Sequence, residues 1–294
     1  MTARTARNYL LNQLQNQLYT EFYIRGKASS RLWNDEIEMT RGTDFVDTLS
    51  AANAGSGCRE SGWEVVEATA DEVAIRRNRL TLWVTRADLE APGSQAISCG
   101  ADLKLRMPKE LRSISPGYYL ALGDRAEPDG DTARLVRMYW NLRRESAETF
   151  LREATLALNR GGFFFRLKLL NDPGSYARCD AAVLYIRQCD YAAISSALGP
   201  VYASVAHRLK PRTPAFTKTL APGLGVAEDP GQIESFGQHR CRLLAEGLIR
   251  GYEQNAKTLD ERFRMVSDYF KAEGIDVDRP YLGPDSSDLY TFAV

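Results

Sequence analysis

Histidine is nearly missing from this chain: there are only His207 and His239 in 294 residues. The five cysteines (Cys58, Cys99, Cys179, Cys189 and Cys241) are widely spaced, and no Cys-x-x-Cys pair occurs. A zinc site of the usual ligand spacing is therefore not expected, and neither is any other metal. An odd set of scattered thiols suits a reducing cytoplasm. Excess charge of one sign is also lacking. Lysine plus arginine equals aspartate plus glutamate at 38 each, a formal net charge of zero. That speaks against a nucleic-acid protein relying on a global basic field, but leaves room for a local anion site. No apolar run reaches the length of a membrane span, and the amino terminus, MTARTARNYLLNQLQNQ, has no hydrophobic signal core. Neither a membrane partner nor a nucleic acid is expected.

Several catalytic signatures are absent as well. No Gly-x-Ser-x-Gly occurs, so a Ser/His/Asp hydrolase lacks its nucleophile elbow. Gly223 and Gly225 could bring backbone N–H groups near a phosphate, but no Gly-Lys-Ser/Thr follows them, which rejects a P-loop. Kinase motifs are missing too: no Val-Ala-Ile-Lys strand, no His-Arg-Asp, no Asp-Phe-Gly. A phosphatase would need a nucleophile or metal that cannot be singled out.

What is present is a recurring pattern of strands with one apolar and one cationic face. In GGFFFRLKLLNDPGSYARCDAAVLYIR, Gly161 to Arg187, side chains alternate between faces. Phe163, Phe165, Leu167 and Leu169 share one face; Arg166 and Lys168 point to the other. Asn171-Asp172-Pro173-Gly174 is a turn signal. The return strand puts Val183, Tyr185 and Arg187 on one side and Ala182, Leu184 and Ile186 on the other. The same alternation sets Lys104 and Arg106 against Leu103, Leu105 and Met107. It also sets Arg137, Tyr139 and Asn141 against Val136, Met138 and Trp140. An unpaired cation is costly to bury, so an anionic ligand would explain three such strands. The expectation is one sheet lining a basic cleft; the plainer alternative is an antiparallel sheet with a solvated polar face.

Around these strands the pattern predicts an amphipathic helix over Tyr9 to Tyr23 and a loop or mobile insert over Leu49 to Gly62. Short strands follow between Trp63 and Thr85, and then an acidic loop from Glu127 to Asp131. A helix opens at Ser146 and stops at Gly161-Gly162. Asp190 to Leu209 is helical but interrupted at Gly199-Pro200, and two helices, Ser235 to Asn255 and Leu259 to Glu273, close the chain. Pro211 to Asp229 is a long Pro/Thr/Gly-rich stretch with Arg212 and Lys218, expected to be a binding loop or lid. The fold class is α+β, a mainly antiparallel sheet flanked by helices. Residues 1–100 form an amino-terminal helix-and-hairpin region of one domain, and residues 101–294 its core with the carboxy-terminal helices.

FRLKLLNDPGSYARCDAAVLYI, PAFTKTLAPGLGVAEDPGQIESFGQHRCRLLAEGL and the earlier YWNL resemble the HopA-type bacterial effectors. They resemble equally the HopA-like lyases encoded beside kinases in class V lanthipeptide and thioamitide pathways. The resemblance runs from about Lys104 to Leu248. A fainter one links the same region to phosphothreonine lyase effectors, with Arg166, Lys168, Arg178, Tyr185 and Arg187 in matching places. There, Lys104-Leu-Arg106 stands where those lyases carry Lys-x-His, and the histidine is missing.

What the resemblance implies is β-elimination of phosphate from phosphoserine or phosphothreonine in a precursor peptide, giving dehydroalanine or dehydrobutyrine without a cofactor. The catalytic candidates are then Lys168, Lys104, Tyr185 and Arg106. Candidates for holding phosphate are Arg166, Arg178, Arg187, Lys218, Arg240 and Arg212. Lys168 would act as base only if its pKa falls from about 10.4 toward working pH, which burial and neighbouring guanidiniums favour. The phosphate must come from a separate kinase, expected to dock on the lyase, with the region up to about Gly100 as docking or leader-peptide surface. A bacterial cytoplasm is the expected location, with secretion as an effector the alternative. A non-catalytic phosphopeptide-binding module is the rival reading.

Overall fold

Period-two alternation dominates the middle of the chain, and the computed structural model turns it into a large antiparallel sheet. The structure describes residues 2–25, 39–77, 80–90, 97–128, 133–231 and 234–293. Its helices are α1 (Ala3–Gln17), α2 (Met39–Ala52), α3 (Ala147–Arg160), α4 (Tyr191–Val205), α5 (Phe236–Glu253) and α6 (Leu259–Ala272). The strands of the smaller sheet are β1 (Cys58–Ala68), β2 (Glu72–Arg77), β3 (Leu80–Thr85), β4 (Leu89–Glu90) and β5 (Asp102–Met107), in the order β3-β2-β1-β5-β4. The larger sheet holds β6 (Glu110–Leu111), β7 (Tyr118–Leu122), β8 (Leu135–Trp140), β9 (Phe165–Leu170), β10 (Ala182–Arg187), β11 (Lys218–Ala221) and β12 (Leu224–Glu228). Its order is β11-β12-β8-β10-β9-β7-β6, every pair antiparallel. The α+β class with helices flanking antiparallel strands is what the pattern predicted.

One face of the larger sheet is the core. Val136, Met138, Trp140, Phe165, Leu167, Leu169, Ala182, Leu184 and Ile186 are all 0 % exposed. Phe45 and Leu49 of α2, Phe150 and Leu158 of α3, and Ile194 and Leu198 of α4 pack into the same cluster. Burying each such side chain stabilises the fold by roughly 1.5–3 kcal/mol. The other face is cationic and aromatic, covered in part by the turn after α1 and by α5 through Tyr23, Phe236 and Cys241. Capping boxes at Ser235/Gln238 and Thr258/Glu261 fix the starts of α5 and α6.

Three local expectations give way. Leu49 to Gly62 is not a loop: α2 runs to Ala52 and β1 begins at Cys58. The polar residues there bond inward; Ser50 donates to Glu110 at 2.8 Å and Asn53 to the Tyr119 hydroxyl at 2.9 Å. Pro200 does not break α4. It and Ser196, whose carbonyl loses its partner, lie on the exposed side, so the carbonyl left without a bond is not buried in the core. The Pro211 to Asp229 stretch is not a lid either, because β11 and β12 form a hairpin that extends the larger sheet. Gly223, at φ +76°, makes its turn, and a Cβ there would sit 2.6 Å from the Lys210 carbonyl. Part of the Glu127 to Asp131 loop lies outside the described residues.

The strands bearing cations do not all share a sheet. β5, with Lys104 and Arg106, pairs with β1 and β4 over a separate core of Trp63, Val65, Ile75 and Leu103. The boundary drawn at residue 100 therefore falls inside the smaller sheet. α1 instead packs on α5, where Arg7 bridges Glu246 at 2.7 Å and Glu253 at 2.8 Å.

Candidate functional site

Lys168 sits on β9 with Val183 of β10 opposite on one side and Leu120 of β7 on the other. Directly paired residues share a face. Arg166, Lys168, Tyr185, Arg137 and Tyr139 therefore gather on the non-core face, since Tyr185 pairs with both Arg166 and Arg137, and Val183 with Tyr139. The ammonium of Lys168 lies 5.8 Å from the centre of the Tyr118 ring and 5.6 Å from that of Tyr185. Each ring serves a second cation: the Arg178 guanidinium lies 5.7 Å from Tyr118, and that of Arg137 5.0 Å from Tyr185.

The carboxylates decide what these cations can still do. Arg137 holds Asp229 at 2.6 Å, Arg166 holds Glu127 at 2.8 Å, and Arg187 holds Asp190 at 2.6 Å. Arg178 grips Asp180 with Nε and Nη2, both at 2.8 Å, while Nη2 also donates to the Tyr118 hydroxyl at 2.8 Å. Nη1 of Arg178 makes no hydrogen bond among the described residues, so the guanidinium keeps a donor pair for an oxyanion. Lys168 has no carboxylate partner among the described residues, only the two rings. Burial, then the charges of Arg137 and Arg166, hold its amine below the usual lysine range. Burial also raises the hydroxyls of Tyr118 and Tyr185 above the ordinary tyrosine value, so both remain protonated donors.

Supporting residues come from elsewhere in the chain. Lys210, its amine held low chiefly by burial, donates to the backbone carbonyls of Tyr176 and Arg178, the latter at 3.0 Å. It thereby pins the short helical turn that presents Arg178. The π-helical turn Leu18–Tyr23 after α1 brings Tyr19 within electrostatic reach of Arg178 and Asp180. Ile24 accepts a backbone bond from Cys179 at 2.9 Å. The amino-terminal segment thus borders the site.

Four expected site residues lie away from this cluster. Lys104 and Arg106 are exposed on the smaller sheet, Arg106 3.9 Å from Glu90. Lys218 pairs with Val226, a core residue, so it lies on the opposite face of the larger sheet; it binds Asp288 at 2.6 Å. Arg240 is 1 % exposed and donates to the carbonyls of Pro280 at 2.7 Å and Leu282 at 2.9 Å, tying down the carboxy-terminal tail. Its buried neighbour His239 is pushed down to about 4 by burial and by Arg240, so it is neutral near pH 7. Arg212 is exposed, and its charge is felt at Cys179, next to Arg178. Arg137, Tyr118 and Lys210 were missed as site residues. Arg137 had announced itself as the cation on the polar face of its strand, whereas Tyr118, on an unremarkable YYLAL run, gave no such signal.

The described residues do not show the expected basic cleft. A cavity of about 500 Å³ is lined by Arg134, Glu228, His239 and Asp285, and one of about 790 Å³ lies between the two sheets. Lys168 lines neither, although Arg166 lines the second. No helix of the described residues is long and apolar enough to cross a membrane.

Residues 110–282 match the HopA1 effector protein family. Two solved structures share the fold. The effector protein from Pseudomonas syringae pv. tomato strain DC3000 superposes with a TM-score of 0.53 at 14% identity, covering 95% of this chain and 96% of that one. The effector protein from Pseudomonas syringae pv. syringae strain 61 gives 0.50 at 9% identity, covering 95% and 97%. No curated protein sequence matches.

Proposed function

The chain belongs to the HopA1 effector protein family, and from that premise we propose that it is a cofactor-independent phosphoserine/phosphothreonine lyase acting on a phosphorylated peptide. One observation carries the reading: an amine held below its usual pKa, without a carboxylate partner among the described residues, on a sheet face rich in arginine and tyrosine. Perturbed lysines of this kind are candidates for general bases. The similarity to HopA-like lyases, borne by FRLKLLNDPGSYARCDAAVLYI, points the same way.

In this reading Lys168 Nζ removes the Cα proton of the phosphorylated residue. The electron pair becomes the Cα–Cβ double bond, the Cβ–O bond breaks, and phosphate departs with its electrons. Dehydroalanine or dehydrobutyrine remains. In this reading Arg178 Nη1, the half-buried Arg166 and the exposed Arg212 take up the leaving phosphate. Tyr185, kept protonated by burial, donates to the developing negative charge. A separate kinase supplies the phosphorylated precursor and docks nearby. The bacterial cytoplasm suits that role, whereas secretion suits the effectors of the family.

The engaged state of the arginines favours a second reading, a non-catalytic phosphopeptide-binding effector or adaptor. Mass spectrometry of a phosphothreonine peptide after incubation with the full chain separates the two. The lyase leaves an alkene, lighter than the phosphopeptide by one phosphoric acid; a binding module leaves the peptide intact. An intact peptide in the presence of the kinase as well would overturn the lyase reading.

A further inference from the structure

Apart from Arg166 on its wall, the cavity between the two sheets has no part in the chemistry just described. We propose that it is the subsite for large apolar side chains flanking the phosphorylated residue of the peptide substrate. The proposal takes the identity of its occupant from the lyase reading. Its walls come from Trp63, Leu82 and Met107 of the smaller sheet and from Leu120, Leu122 and Phe164 on the other side. At about 790 Å³ it falls in the size range of ligand sites, which bury apolar groups among a few polar ones.

Register ties this cavity to Lys168. Leu120 is the β7 partner of Lys168, and Leu122 is the partner of Arg166. The floor of the cavity is therefore the sheet face that carries the amine, one strand away, at a strand spacing of about 4.8 Å. Arg166 belongs to both places: it lines the cavity, and its charge lowers the Lys168 pKa after burial and Arg137. An extended peptide advances about 3.3 Å per residue. A phosphorylated residue held at Lys168 thus sends side chains one to three positions away onto Leu120 and Leu122.

The rim supports an extended occupant. Leu80 and Ile114, 54 % and 67 % exposed, stand at the cavity rather than scattered over the surface. Leu80 and Leu82 lie on β3 and Leu111 on β6, the outermost strands of the two sheets among the described residues, and an outer strand edge can pair with an extended chain. A second copy of this chain fits less well, because a stable dimer needs a broad face of about 1,200–2,000 Å² rather than a pit of this volume.

Fluorescence anisotropy on the full chain tests the assignment. The probes are labelled peptides carrying a phosphonate, which cannot be eliminated, at their centre. One series has leucine or phenylalanine within three positions of it, the other serine. The apolar series should bind about tenfold more tightly, the gain from burying most of one such side chain. Ile114→Asp and Leu80→Asp, both at exposed positions, should abolish that preference and leave affinity for the serine series unchanged. Equal affinity for the two series would overturn the proposal, as would a preference that survives both substitutions. So would sedimentation showing that Ile114→Asp converts a dimer to a monomer. Elimination is read separately by mass spectrometry: an intact preference without any alkene would remove the lyase reading and leave the subsite standing.

Discussion

Removing Arg178 and Asp180, singly and together, tests whether the pair is a functional arm or a structural clasp. The Asp180 side chain is 5 % exposed and that of Arg178 22 %. Asp180 accepts from Arg178 Nε and Nη2 at 2.8 Å each and from the Tyr118 hydroxyl at 3.2 Å. Arg178→Ala strands a buried carboxylate with one neutral donor, so it should destabilise the fold by about 3–5 kcal/mol. Asp180→Ala leaves a cation that reaches water and keeps its bond to Tyr118. Bonds to charged groups are worth about 1.5–3 kcal/mol each, but rehydration offsets part, and about 2 kcal/mol is expected. The double variant should fall short of the sum by about 2 kcal/mol, the coupling of groups in direct contact. Urea unfolding followed by tryptophan fluorescence measures all three. Additivity to within about 0.5 kcal/mol would refute the coupling. If Arg178 also meets the phosphate, Arg178→Ala raises KM more than Asp180→Ala, which retains the guanidinium.

Lys168→Met should abolish elimination while phosphopeptide binding persists, since the base acts in the transition state; loss of binding at an unchanged saturating rate would make Lys168 a phosphate ligand instead. Activity should rise with pH as the amine loses its proton. Arg166→Gln removes one of the cations holding that pKa down, so the acid limb of kcat/KM should move to higher pH, and a stationary limb would uncouple the two residues. The folded-state pKa of Lys168 lies below its unfolded value, so the unfolded chain binds the extra proton between them. Stability should therefore climb as pH rises through that interval, and Lys168→Met should flatten the climb in thermal melts at stepped pH. Lys104→Ala and Arg106→Ala, on exposed positions of the smaller sheet, should leave elimination unchanged and stability within about 0.5 kcal/mol. Gly223→Ala forces a Cβ to 2.6 Å from the Lys210 carbonyl at φ +76°, and should lower stability by about 1–3 kcal/mol in a thermal melt.

Strand identity was legible because alternation is a local property. Phe165 to Leu169 and Val136 to Trp140 read correctly from period two alone, and their apolar members are the core. Which sheet a strand joins is a matter of pairing, and nothing in Asp102 to Met107 distinguishes a partner on β1 from one on β9. Its Lys-Leu-Arg looked like Arg-Leu-Lys of β9, yet a separate core beneath Leu103 and Leu105 claimed it. Composition misled in the opposite sense at Pro211 to Asp229. Proline, threonine and glycine there signalled a loop, whereas the glycines serve a hairpin turn and, at Gly225, a close approach to Thr217, where a Cβ would lie 2.8 Å from its hydroxyl oxygen.

The site was half legible for a related reason. A cation on an apolar strand marks a position worth explaining, but its meaning depends on the carboxylate it meets, and those partners lie far along the chain. Arg166 answers to Glu127, Arg137 to Asp229 and Lys218 to Asp288. Arg240 meets no acid but the carbonyls of the tail, which makes it an anchor for residues 280–282. Lys168 shares the strand pattern of Arg166 and differs from it only in that pairing. Its distinction is therefore tertiary: two tyrosine faces and two like charges surround an amine that meets no acid among the described residues. Where the described residues pair the arginines of one face with carboxylates and give its half-buried lysine none, the fold bears a cost there that packing does not require. The lowered pKa is the form that cost takes, and it is the property a base for Cα deprotonation needs.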